Sequence, residues 1–392
     1  MAKKIVKNLV NDAKMMDKPL FFACLIMILF GLLNIVTASS REASTYDYGI
    51  YYYFFKHSQM LLIGITAGFF VFQIPTRKYN KYVLLAWFLL FLLFIYTYFY
   101  GVSHRGSTRW VNIFGFSFQP GEIAKPLVAV LGAVFYERYA KLKQKNSKNA
   151  DKLIGIAILL SLLLPILVFF QKDFGNASII GTIFATLFFI SPIPKKDKLR
   201  YIGALFVLGI IFVLGLLAFR GRILEPHQIS RFDFLKPCTK YEVSGYQICN
   251  AYIAINDGGI TGVGIGSSRQ KYSYIDEPHT DMVFAIIAEE YGAALSSLIF
   301  LGYTAIMIRM IVISKASKNI RRKYLAFGIM TYMLMQILVN MGGLFGLMPL
   351  TGVALPFLSY GGSFTISFLV AIAIVLRVSV ENRQEKIKIK KI

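Results

Sequence analysis

The stretch "YSYIDEPHTDMVFAIIAEEYG", Tyr272 to Gly292, changes character halfway along. Its first half is polar and acidic, with Asp276, Glu277, His279 and Asp281. From Met282 it is apolar, apart from the pair Glu289 and Glu290. The apolar run continues to about residue 308, more than the ~20 residues that carry a helix through a bilayer. The stretch therefore reads as a loop entering a membrane span. It places Asp281 at the membrane surface and the glutamates about 12 Å deeper, at 1.5 Å per residue.

The rest of the chain repeats this pattern. Of 392 residues, 56% are hydrophobic and 16% charged, whereas an ordinary soluble domain is about a quarter charged. Ten apolar blocks follow one another, at about 19–38, 58–75, 82–101, 120–138, 153–171, 177–194, 201–219, 282–308, 324–347 and 363–380. The expected fold is an all-α polytopic membrane protein of about ten transmembrane helices with one large extracytoplasmic loop. It forms a single membrane domain over 1–392, with a loop at 220–281 and a basic tail at 381–392. The leading segment "MAKKIVKNLVNDAKMMDK" has no apolar core, so the first block is expected to stay as an anchor. No internal repeat is evident.

Orientation follows from the positive-inside rule. The N-terminus, "RKYNK", "ERYAKLKQKNSKNADK", "KKDKLR", "SKASKNIRRK" and the tail "ENRQEKIKIKKI" hold most of the 43 basic residues. With ten spans they all fall on one side, which places both termini in the cytoplasm. Basic residues arranged this way explain the net charge of +23 without nucleic acid. The large loop then lies outside, and its Cys238 and Cys249 could pair in an oxidising space.

Ionisable groups at membrane depth are costly and mark function by default. In the fourth span, Glu122 and Lys125 sit at i and i+3 and can pair. Glu289 and Glu290 have no basic residue nearby on their own helix and need a partner from elsewhere. Asp281 stands where a carboxylate either caps helix amides or serves as a general base toward a hydroxyl of a membrane-anchored substrate. The outer side carries Arg105, Arg109, Arg220, Arg222, Arg231, Arg269 and Lys271, cations suited to lipid headgroups or a phosphate-bearing ligand. The segment "NMGGLFGLMPLTGVALPFLSYGGSF", with Ser359 and Gly361 near its end, is broken by Gly and Pro. Irregular backbone at membrane depth must be buried or line a cavity, so this segment is expected to line the site. No H-E-x-x-H or phosphate loop is present.

Four stretches, "RGSTRWVNIFGFSFQPGEIAK", "QKDFG", "GYQICNAYIAINDGGITGVGIGSSRQKYSYIDEPHTDMVFAIIAEEYG" and "MPLTGVALPFLSYGGS", together resemble the SEDS family (shape, elongation, division and sporulation proteins), whose members include FtsW and RodA. The resemblance spans nearly the whole chain, in order. The run "SRQKY" makes it more similar to the division branch, FtsW, than to RodA. It implies a ten-span fold in the bacterial cytoplasmic membrane. It also implies peptidoglycan glycosyltransferase activity on lipid II at the outer face, and a class B penicillin-binding protein as partner beside other division or elongation proteins. The family's essential carboxylate falls on Asp281 and its motif glutamate on Glu277. The chain departs from common family residues at Asp276, Gly121, Lys172 and Phe364, none of which removes a charged motif residue.

The expected chemistry has Asp281 taking a proton from the sugar 4-hydroxyl of lipid II. The donor is a glycan on polyprenyl diphosphate, and Arg109, with Arg105 or Arg269, offsets the leaving charge. Glu122, Lys125, Glu277, His279, Lys271, Ser359 and Gly361 complete the candidate site. A divalent cation, Mg2+ or Mn2+, is possible near Asp281. The rival readings are an elongation-type polymerase, a lipid II flippase, and a non-catalytic scaffold.

Overall fold

The computed structural model describes residues 2–104, 107–113, 116–220, 237–240 and 245–390. Its helices are α1 (Ala2–Met15), α2 (Lys18–Ala38), α3 (Ser40–Thr45), α4 (Tyr52–Gln73), α5 (Tyr79–Tyr100), α6 (Pro120–Gln144), α7 (Asn149–Phe170), α8 (Phe174–Ile190) and α9 (Lys195–Arg220). Beyond the large loop's first part come α10 (Tyr246–Gly258), α11 (Gln270–Ser273), α12 (Val283–Lys315), α13 (Ile320–Leu344) and α14 (Ser363–Lys390). Each of the ten expected spans corresponds to one helix. Seven of the spans are long and apolar enough to cross a bilayer by length and composition. The other three are α6, which carries Glu122 and Lys125, the 17-residue α8, and α9.

The bundle is sorted by what each helix faces. α6, α13 and α14 are buried along most of their length. α2, α4 and α5 turn large apolar side chains outward, such as Ile26, Phe70 and Leu89. The described side chains of α9 point almost entirely outward. A lipid-facing surface wants apolar side chains, so polar groups collect at the centre, where protein can satisfy them.

Two breaks in the helices show how this is done. Pro126 stands inside α6. It has no N–H for the carbonyl of Glu122 one turn back, and Ser367 of α14 donates its hydroxyl to that carbonyl at 2.7 Å instead. The second break is in α12, where Gly292 leaves helical geometry at φ 76°. A loop strand lies against the gap. Val263 and Gly264 donate to the carbonyls of Glu289 and Glu290, and Ala293 and Ala294 donate to those of Gly259 and Ile260. Four backbone groups freed by the kink thus find partners within the protein.

The fit leaves no room for side chains. A β-carbon on Gly262, itself at φ 83°, would stand 2.3 Å from the Glu290 carbonyl oxygen. Gly262→Ala is therefore expected to part the loop from the helix. Size-exclusion and thermal-melt measurements on purified protein should show a severe loss of folded material. A variant as stable as the parent would refute this account of the break.

Three features add to the sequence-based expectation. The connection after α5 is a three-stranded antiparallel sheet, β1 (Val102–His104), β2 (Ser107–Ile113) and β3 (Phe116–Phe118), in the order β1-β2-β3. The basic tail from residue 381 continues α14, which runs unbroken to Lys390, and Asn382 is buried against Ser317. Cys238 and Cys249, open on sequence alone, are joined in a disulfide.

Candidate active site

The starts of α6, α8 and α12 and the end of α13 converge on the irregular segment 345–362. Asp281 is half-buried, and the N-cap of α12 is Met282, with no side-chain cap. The turn before it is held locally: Thr280 contacts the carbonyl of Glu277 through both its amide and its hydroxyl, and the same hydroxyl lies 3.2 Å from Asp281 Oδ1. Glu277, half-buried, takes a left-handed φ of 47°, costly for a non-glycine residue and a feature that clusters at functional sites. Asn340 of α13 donates to the Asp281 carbonyl at 2.8 Å and to that of Val353. It ties the turn to the irregular segment.

Arg109 reaches the same place from β2. The point a β-carbon would occupy on Gly352 lies 3.8 Å from both Arg109 Nη2 and Asp281 Oδ2. The guanidinium and the carboxylate therefore flank one glycine. Arg109 is steered from behind by Asp173, 3.7 Å from its Nη1. Asp173 is buried, caps α8 through the amide of Asn176, and accepts from Gln119 Nε2 at 2.6 Å. Asp173, Gln119 and Asn340 were not among the sequence-based candidates. Asp173 and Gln119 stood in the motifs "QKDFG" and "QPGE", but their partners are distant in the chain.

The remaining candidates spread around this centre. Lys125 is fully buried and bonds Glu122 at 2.8 Å and Gln336 at 2.9 Å. Gln336 in turn donates to the Ala354 carbonyl, so this pair props the irregular segment from below. Ser359 accepts from the Leu355 amide, and the Gly361 carbonyl accepts from Thr365; both shape the segment's turn back into α14. His279 packs against Tyr53 and Tyr360, and its Nδ1 lies 3.2 Å from Glu42 Oε2, outside hydrogen-bonding geometry. Burial pulls the imidazole down to about 4 and raises the Glu42 carboxyl. At neutral pH His279 is uncharged, which suits a packing role rather than a cation for phosphate.

The acidic pair in α12 finds its partners just before that helix in the chain, from the short helix α11 and the residues that lead into it. Glu290 Oε1 accepts from Lys271 Nζ at 2.7 Å, with both side chains buried. Glu289 accepts from the hydroxyl of Ser268 at 2.5 Å and from the amides of Arg269 and Gln270, capping α11. Lys271 is thus not an outward-facing cation, whereas Arg269 is exposed. Arg105 lies outside the described residues, as do Arg222 and Arg231. Among the described residues, no three His, Cys, Asp or Glu side chains gather as metal ligands.

An arginine and a carboxylate on either side of one glycine form the centre of the candidate site. Comparison with known proteins agrees in family. Residues 18–384 match the family of cell cycle proteins that unites FtsW, RodA and SpoVE, and the chain belongs to it. It is 32% identical to the probable peptidoglycan glycosyltransferase FtsW of Bacillus subtilis, over 98% of this chain and 95% of that one. It is 31% identical to the stage V sporulation protein E of the same organism, over 94% and 98%. In fold it is similar to a chain of a peptidoglycan synthase complex that coordinates polymerization and crosslinking (TM-score 0.69, 21% identity, 94% of this chain and 99% of that one). It is also similar to RodA of Thermus thermophilus (TM-score 0.62, 21% identity, 93% and 96%).

Proposed function

We propose that this chain is a peptidoglycan glycosyltransferase of the division branch, polymerising lipid II at the outer face of the bacterial cytoplasmic membrane. The observation that carries the reading is that Asp281 and Arg109 both stand beside Gly352, within a chain similar to FtsW over its whole length. Asp281 Oδ2 takes the proton of the acceptor 4-hydroxyl as its oxygen bonds to the donor's anomeric carbon. The bond from that carbon to the diphosphate oxygen breaks, and the polyprenyl diphosphate leaves with the electron pair. Arg109, held by Asp173, faces the charge that develops there. Supplying this charge from a fixed guanidinium in a partly dry site is worth more than in water. No step is assigned to a metal.

The partner is a class B penicillin-binding protein that cross-links the strand, in keeping with the synthase complex among the structural neighbours. Purified chain, with and without such a partner, is expected to turn lipid II into a ladder of glycan on gels. Absence of polymer in both cases would favour the scaffold or the flippase. The orientation has its own test. A cysteine at the exposed Thr261 should react with an impermeant maleimide in whole cells, since the basic ends lie on the other side. Protection of that cysteine would invert the topology.

A further inference from the structure

At the Lys- and Arg-rich end of the bundle, far from Asp281 along the chain's spans, lies a cavity of about 370 Å³. It is walled by the turn between α4 and α5, the start of α13 and the last turns of α14. Its charged lining is Arg77, Arg322, Arg377, Lys388, Glu381 and Glu385. A space this large holds far more than a single water and falls in the range of small-ligand pockets.

The charges are unequally matched. Glu381 is committed to the turn, accepting from the amide and hydroxyl of Thr76 and from Arg377 Nε. Glu385 is committed to Arg322. Arg377 also pairs with Asp12 of α1. These contacts hold the Arg322 and Arg377 guanidinium groups, both largely buried, in place on the cavity wall. Arg322 Nε and Nη1 and Arg377 Nη2 form no hydrogen bond within the described residues. Arg77 and Lys388, both exposed, have no hydrogen bond or ion pair among the described residues. The cavity therefore presents spare, partly pre-positioned donors and two uncompensated cations. A guanidinium held this way matches phosphate geometry.

The depth of the cavity narrows the ligand further. Arg77 follows the end of α4 by four residues, and Phe69 and Phe70 in that helix's last two turns face outward. A phosphate held by Arg77 would sit at headgroup level, with apolar side chains just below it. Anionic headgroups attract basic segments at such a surface by about 1 kcal/mol per Lys or Arg.

We infer that this cavity is a binding site for a phosphate group, most naturally the headgroup phosphate of an anionic phospholipid. The inference does not depend on the polymerase reading. Its test uses the full chain in phosphatidylcholine nanodiscs, with and without phosphatidylglycerol, and separately with inorganic phosphate or pyrophosphate. Native mass spectrometry reads the lipid retained, and a thermal melt reads stabilisation. The parent is expected to retain phosphatidylglycerol and to melt higher with it. The Arg77→Gln/Lys388→Gln variant should retain at least about fivefold less, while a matched variant at two exposed lysines of the same end, Lys195→Gln/Lys196→Gln, behaves as the parent. Stabilisation by inorganic phosphate or pyrophosphate alone, lost in the first variant only, would support the site with a soluble source. Equal retention by both variants, or no effect of either ligand on the parent, overturns it. Equal circular dichroism of all three proteins in pure phosphatidylcholine separates binding from misfolding.

Discussion

Asp281→Asn should insert and melt like the parent yet make glycan at a rate at least 10²-fold lower, the order expected when a general base is lost. The substitution keeps the size of the side chain and its ability to accept from Thr280. It removes the basic lone pair that faces Arg109 across Gly352. Asp281→Glu should also be badly impaired, because it keeps the charge but shifts it by roughly one bond length, and reacting geometries tolerate little displacement. A purely structural role predicts another ranking. Asn is a good helix cap and would be nearly silent, but the cap position of α12 is Met282. Polymerisation of lipid II at the parental rate by a well-folded Asp281→Asn protein would return the residue to a structural role.

The second large effect concerns stability. Lys271→Met leaves Glu290 charged or protonated in a pocket built for a pair, a loss of about 3–5 kcal/mol for breaking a buried ion pair. Lys271 also bonds the Gly266 carbonyl, so its loss loosens the same loop that closes the break in α12. The double variant Lys271→Met/Glu290→Gln should recover much of the melting temperature, because no uncompensated charge remains. Recovery is the distinguishing sign. If the double variant melts no higher than Lys271→Met alone, the pair is not what holds the loop.

Much of the fold was legible because lipid imposes a coarse rule on the sequence. Ten apolar blocks became ten helices, and the Gly- and Pro-rich segment 345–362 became irregular backbone held by side chains of Asn340, Gln336 and Tyr303. The sheet after α5 was not legible, since β1 and β3 have three residues each, too few for an alternation to stand out. Asp281 and Arg109 were legible as chemistry in place, one acid and one base on the same side. Their meeting was not, because it depends on Gly352, seventy residues beyond one and far beyond the other. Asp173 escaped for a similar reason: its partners Arg109 and Gln119 come from elements that only the packed bundle brings beside α8. Lys271 was misread because a four-residue helix offers no periodicity from which to infer burial.

The stitched break in α12 bears on how this chain is able to diverge. Gly258, Gly262 and Gly292 each lie against the other side of the same seam. A β-carbon on any one would come within 2.1–2.4 Å of a backbone atom across it. No single change elsewhere can make room, since the obstructing atoms are main chain rather than side chain. The three positions therefore behave as one inherited unit. Among descendants of this sequence they should persist together, or vanish together along with the loop strand itself, and isolated substitutions at one of them should mark genes that have already lost their function.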